Sequence, residues 1–126
     1  MIRLAILKTV QNNKRKDYNN MRVTNLTSPR TGAKVANQFI IESDDGDTFQ
    51  SYNSTIAKYG NDNGDILLEV GDDWDYSRTT MRYFKQFLSI YGWGDKEWHE
   101  LTKSLKDGKT DFKIRVGVLF VRVKTI

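Results

Sequence analysis

The sequence predicts an α+β domain: a small antiparallel β-meander, then two helices, then a C-terminal strand that rejoins the sheet. Three observations carry this expectation. From Arg22 to Val70, short runs rich in alternating apolar and polar side chains are separated by Gly-containing turns. After Gly71-Asp72-Asp73-Trp74-Asp75 the apolar period lengthens to that of a helix. The final stretch, Phe112 to Ile126, returns to alternation.

Each element follows in order. Residues 22–27, RVTNLT, read as a strand, and SPRTGAK after them holds the only proline, Pro29, with Gly32 close behind, so it turns the chain. VANQFIIE, 35–42, is the next strand, and Asp45-Gly46 marks a hairpin turn. In TFQSYNSTIAKYG the first half returns as a strand, while the second half is open between strand and helical turn. Asn63-Gly64 supplies a second turn before the strand ILLEV. From Tyr76 to Tyr91 the residues Met81, Phe84, Leu88 and Tyr91 fall on one helix face, widened by Phe87 and Ile90. Asp75 or Ser77 can cap its start by accepting a first-turn N–H, and Gly92 is placed to end it in a left-handed conformation. Asp95 is positioned to cap a second helix through Lys106, with Trp98, Leu101 and Leu105 on one face and Gly108 closing it. FKIRVGVLFVRVKTI then reads as one strand.

Composition bounds what this domain does. A chain of 126 residues with 38% hydrophobic and 29% charged residues fits one soluble domain with a single core. With no cysteine there is no disulfide and no thiolate metal site, which fits a reducing cytoplasm. No apolar run approaches the roughly 20 residues that span a bilayer, so no membrane role is expected. Residues 1–20 hold Arg3, Lys8, Lys14, Arg15 and Lys16 against Asp17, which accounts for the whole net charge of +4. Residues 21–126 balance, yet their signs separate along the chain. Between Glu42 and Asp75 ten acids meet one base, Lys58, and from Tyr76 onward eleven bases meet five acids.

Tests for catalytic and metal chemistry fail. Gly108-Lys109-Thr110 lacks the earlier glycine of a phosphate loop, because Lys103 stands there. A calcium loop centred on Gly64 would need acids where Tyr59 and Val70 stand. His99 is the only histidine and has no second histidine with which to share a metal. Asp44/Asp45 and Asp72/Asp73 are paired carboxylates, but they flank glycine turns, where a raised pKa is not expected. The expectation is a non-enzymatic chain without cofactor or metal. Arg78, Arg82 and Lys85, at i, i+4 and i+7, form a basic stripe beside the first helix's apolar face, with Tyr76, Tyr83, Trp93 and Trp98 available for base stacking.

Three stretches, VANQFII (35–41), FQSYNSTIA (49–57) and WDYSRTTMRYFKQFL (74–88), resemble an uncharacterised family of small proteins encoded by phages and prophages of Gram-positive bacteria. The resemblance spans roughly residues 21–91. It implies an accessory protein working in the host cytoplasm and supplies no known activity. Members begin near the position of Met21. Lys14-Arg15-Lys16-Asp17 is encodable by a purine-rich, ribosome-binding tract just ahead of a Met21 start codon. Residues 1–20 are therefore read as a basic leader upstream of the true start, the alternative being a working basic arm, and 21–126 as the domain.

Two functions are expected from these readings. The first is binding and blocking a host protein with a basic groove, such as a nuclease or a CRISPR effector. Asp44, Asp45, Asp47, Asp62, Asp72 and Asp73 would imitate nucleic-acid phosphates on one contiguous surface. A contact through Tyr52, Trp74 and Trp93 is a variant of it, although Trp74 and Tyr76 are read as locking the helix start onto the sheet. The alternative is DNA or RNA binding through Arg78, Arg82 and Lys85. One acidic face favours the first; a basic groove lined by aromatics favours the second.

Overall fold

The computed structural model describes residues 21–126. Its elements are β1 (Arg22–Thr27), β2 (Lys34–Ser43), β3 (Gly46–Ser51), β4 (Ser54–Asp62), β5 (Asp65–Val70), a 3-10 turn (Asp72–Asp75), α1 (Arg78–Ser89), α2 (Asp95–Lys106), β6 (Asp111–Val116) and β7 (Leu119–Thr125). The seven strands form one sheet in the order β1-β2-β3-β4-β5-β7-β6. All neighbours are antiparallel except β5 and β7, which run parallel with Ile66 beside Val121. The fold is α+β, as the alternation and the change of period predict. The leader at 1–20, with Lys14, Arg15 and Lys16, lies outside the described residues.

Alternation decides which sheet face carries the helices. Phe49, Ala57, Leu68, Val70, Ile114, Val121 and Val123 share the buried face. α1 packs across β2 and β3, and α2 against β6. Phe49 stacks between Phe84 at 6.1 Å and Phe87 at 5.7 Å, so the centre of the core joins β3 to α1. Burying each such side chain contributes about 1.5–3 kcal/mol relative to leaving it in water. Ser77 is the cap of α1, its Oγ accepting the Thr80 N–H at 3.1 Å. Gly92, with φ +93°, ends the helical region, and the Trp93 N–H reaches the Leu88 carbonyl at 3.3 Å.

Four expectations change. The second half of TFQSYNSTIAKYG, open between strand and helical turn, forms β4, which runs on through Asp62, because Ala57 and Tyr59 find partners on both β3 and β5. The cap of α2 is Gly94 rather than Asp95; Glu97 Oε1 accepts the Gly94 N–H at 2.9 Å, and Asp95 instead pairs with Lys85 at 2.6 Å. The tail is a hairpin, not one strand. Gly117, with φ +65°, turns the chain at residues 117–118, so β6 takes the edge and β7 inserts beside β5. Finally, Trp74 is buried beneath the helix start, but Tyr76 is 75% exposed and locks nothing there.

Candidate functional site

The meander fixes where charges fall, because each strand reverses the chain. The turns at 44–45, 63–64 and 117–118 all lie at one end of the sheet, the hairpin end. The β1–β2 loop, the Tyr52-Asn53 turn, the 3-10 turn and the start of α1 lie at the other, the helix-entry end. Asp44, Asp45, Asp47 and Asp62 therefore stand toward the hairpin end. β5 carries the chain about 20 Å away, at roughly 3.3 Å per residue, before Asp72 and Asp73. The single acidic surface expected from the sequence is thus divided between two ends.

The acids also have local work. Asp45 accepts from Ser43 Oγ at 2.7 Å and pairs with Lys58 at 2.8 Å, and these bonds, Lys58's first, hold its carboxyl below the usual range. Asp47 accepts a hydrogen bond from the Tyr91 hydroxyl. Asp73 Oδ2 accepts from Ser54 Oγ at 3.0 Å, tying the 3-10 turn to β4. Asp44, Asp62 and Asp72 are exposed.

At the helix-entry end the three stretches 35–41, 49–57 and 74–88 converge. Gln38 sits opposite Ser51 on β3, and Ser51 Oγ lies 3.1 Å from Thr80 Oγ1, itself 3.1 Å from Ser77 Oγ. Gln38 is 0% exposed, and neither of its amide atoms has a partner among the described residues. The backbone around it is unusual. Residues 35–38 of β2 face the single Leu26 of β1, and Asn37 adopts φ +66°. Tyr52 adopts φ +56°, and its N–H donates to the Asn37 carbonyl at 2.7 Å. Two side-chain-bearing residues held in the left-handed region store strain beside a buried amide. Motif reading alone did not single out Gln38; the signal available was a glutamine directly before the apolar run Phe39-Ile40-Ile41 of β2.

From this end a groove of about 270 Å³ runs between α1 and α2, lined by Arg78, Arg82, Lys85, Lys106, Trp74 and Trp98 among others. It gathers all three residues of the basic stripe and adds Lys106 from α2, which the sequence reading missed because it requires the packing of the two helices. Trp98 meets Phe84 edge to face at 5.3 Å, fixing the wall of the groove. Lys85 is committed to Asp95, whose carboxyl it holds below the usual range. Arg78, Arg82 and Lys106 make no ion pair among the described residues. Tyr76, one residue before the cap of α1, and Tyr52, 48% exposed, stand at the helix-entry end of the molecule. Trp93, in contrast, is core: it is buried and donates Nε1–H to the Tyr59 hydroxyl at 3.1 Å.

Among the described residues, no group of three or more His, Asp or Glu side chains is arranged to hold a metal ion. No helix among them is long and apolar enough to cross a membrane. Comparison with known proteins found no match among curated proteins and none among solved structures. One family model, for a family of unknown function designated DUF8033, matches residues 21–104, from the start of β1 into the last turn of α2. That match covers well over half of the chain and all three converging stretches, and so the chain belongs to the DUF8033 family.

Proposed function

We propose that the chain binds single-stranded nucleic acid along the groove between α1 and α2. The observation that carries this reading is a groove with three cations free of ion pairs, Arg78, Arg82 and Lys106, walled by Trp74 and Trp98. Arg78 and Arg82 are four residues apart on one face, about 6 Å along the helix axis, a spacing that lets each meet a separate phosphate of an extended strand. Arginine presents a planar fork of donors to a phosphate, which suits that role. Tyr76 and Tyr52 add exposed rings at the same end, on which bases stack without regard to sequence. The resemblance of the three stretches to small phage proteins favours an accessory role in the host cytoplasm.

Fluorescence anisotropy with a labelled oligo-dT across a salt series tests this. Binding should weaken steeply with salt. In the double variant Arg78→Ala/Arg82→Ala the log–log salt slope should fall by about 1.4, since each single-strand phosphate contact contributes about 0.7. Absence of binding at low salt would overturn the reading.

Blocking of a host protein through acids is the second reading. Exposed Asp44 and Asp62 at the hairpin end favour it, and Asp72 and Asp73 could not join them on that contact. A nuclease-resistant partner captured by the wild type and lost on Asp44→Asn/Asp62→Asn would support it.

A further inference from the structure

The sheet face turned away from the helices carries a pattern of charge that the nucleic-acid reading does not use. Along β4 and β5 it presents Lys58, Asp62, Asp65, Leu67 and Glu69; along β7 and β6 it presents Phe120, Arg122, Lys124, Asp111, Lys113 and Arg115. These positions alternate with the buried Leu68, Ile114, Val121 and Val123, so they point to solvent. Phe120 is 61% and Val118 86% exposed, which leaves large apolar groups at the hairpin tip. Arg122 is already held by Asp111 in a two-pronged pair at 3.0 and 2.7 Å, and Lys58 by Asp45. Asp62, Asp65, Glu69, Lys113, Arg115 and Lys124 have no ion-pair partner among the described residues.

We propose that this face binds a second copy of the chain, about a two-fold axis running along the boundary between β5 and β7. Such an axis lays β5 of one copy over β7 of the other, and β4 over β6. Row by row, the registers then set Glu69 opposite the second copy's Lys124, and Asp62 opposite its Arg115. Four of the six charges without an ion-pair partner thus gain an opposite charge in the pair, while Asp65 falls opposite the second copy's Phe120 and Lys113 opposite its Gly60. Phe120, next in β7 beyond Arg122, is covered at the same time. A two-fold contact of this kind requires one patch to be complementary to itself, and a face divided into an acidic and a basic half along the axis meets that requirement. An anionic membrane or nucleic acid fits less well, because Asp62 and Asp65 flank the exposed hairpin tip. The β6–β7 hairpin lies beyond the family match, which ends at residue 104. Half of the contact is therefore built from residues outside the matched segment. The groove of α1 and α2 is on the opposite side of the sheet and stays open in the pair.

Sedimentation of the full chain across a concentration series, at low and high salt, tests the proposal with two charge-reversal variants. The first is Arg115→Glu/Lys124→Glu, the second Asp62→Lys/Glu69→Lys. The wild type should be dimeric at low salt and dissociate as salt rises. Each variant alone should be monomeric, because like charges then face each other. An equimolar mixture should restore a dimer, because every reversed charge meets an opposite one. Recovery on mixing also shows that both variants are folded. A wild type that stays monomeric at all concentrations, variants that dimerise as well as the wild type, or a mixture that stays monomeric would each overturn the proposal. Salt-dependent oligonucleotide binding lost in the first variant, from a chain that never dimerises, would assign the face to nucleic acid instead.

Discussion

Replacing Gln38 by Met should make the protein more stable. The side chain is fully buried, and its amide N–H₂ and carbonyl both lack partners among the described residues. An unsatisfied buried polar group costs about 1–3 kcal/mol, and methionine has nearly the same length and volume without that group. A volume-conserving change in a packed core costs less than about 1.5 kcal/mol. The net expectation is a gain of about 1–2 kcal/mol, a rise in Tm of roughly 3–8 °C for a domain of this size. Urea unfolding should show a higher midpoint with an unchanged slope, which would place the effect in the folded state. A control sets the sign: Ser51→Ala removes a bonded hydroxyl 3.1 Å from Thr80 Oγ1 and should lower stability by about 0.5–1.5 kcal/mol. A loss of stability in Gln38→Met comparable to that of Ser51→Ala would refute the reasoning, since it would show the amide already bonded, for example to an internal water.

Two further outcomes follow from the packing. Burial first, and then the hydrogen bond to the Asp47 carboxylate, push the Tyr91 hydroxyl far above the ordinary tyrosine range, and burial also raises that of Tyr59. Below pH about 10 both folded and unfolded chains keep these protons, so the two phenols leave stability independent of pH there. Above it the unfolded chain ionises first, and stability should fall by up to about 1.4 kcal/mol per pH unit for each phenol. Absorbance titration should show these two tyrosines ionising only as the chain unfolds, and Tyr91→Phe should flatten the alkaline fall; an ordinary titration of all six tyrosines in the folded protein would contradict this. Gly60→Ala should cost about 1–3 kcal/mol, because a Cβ there would stand 2.4 Å from the Asp45 carbonyl oxygen across the paired Gly46. Thermal unfolding reads it, and an unchanged Tm would show that the β2–β3 turn shifts freely.

Much of the fold was legible because it rests on local rules. The turn at Asn63-Gly64 needs left-handed conformations at both residues, and the structure turns there; the turn expected at Asp45-Gly46 falls one residue earlier, at Asp44-Asp45, with Gly46 at φ +142° opening β3. Met81, Phe84 and Leu88 fix a helix by their spacing, and Ser77 and Gly92 bound it as caps do. The tail hairpin is not legible locally, because a single glycine, Gly117, inside an alternating run looks like a continuing strand until the partner strand is known. The candidate site was legible in part. Arg78, Arg82 and Lys85 were visible as one face of a helix, whereas Lys106 and the walls of the groove required α2 to be docked beside α1.

The sequence by itself determined the period of each element, its turns and caps, the division of charge along the chain, and therefore the α+β class. These depend on steric preferences and side-chain patterns within a few residues. Only the tertiary structure decided that β7 pairs parallel to β5, that the acids fall at two ends of the sheet, and that Gln38, Ser51 and Thr80 share one buried layer. Such relations join residues tens of positions apart, and their free energy comes from core burial shared by all the elements. No local window of the sequence contains it.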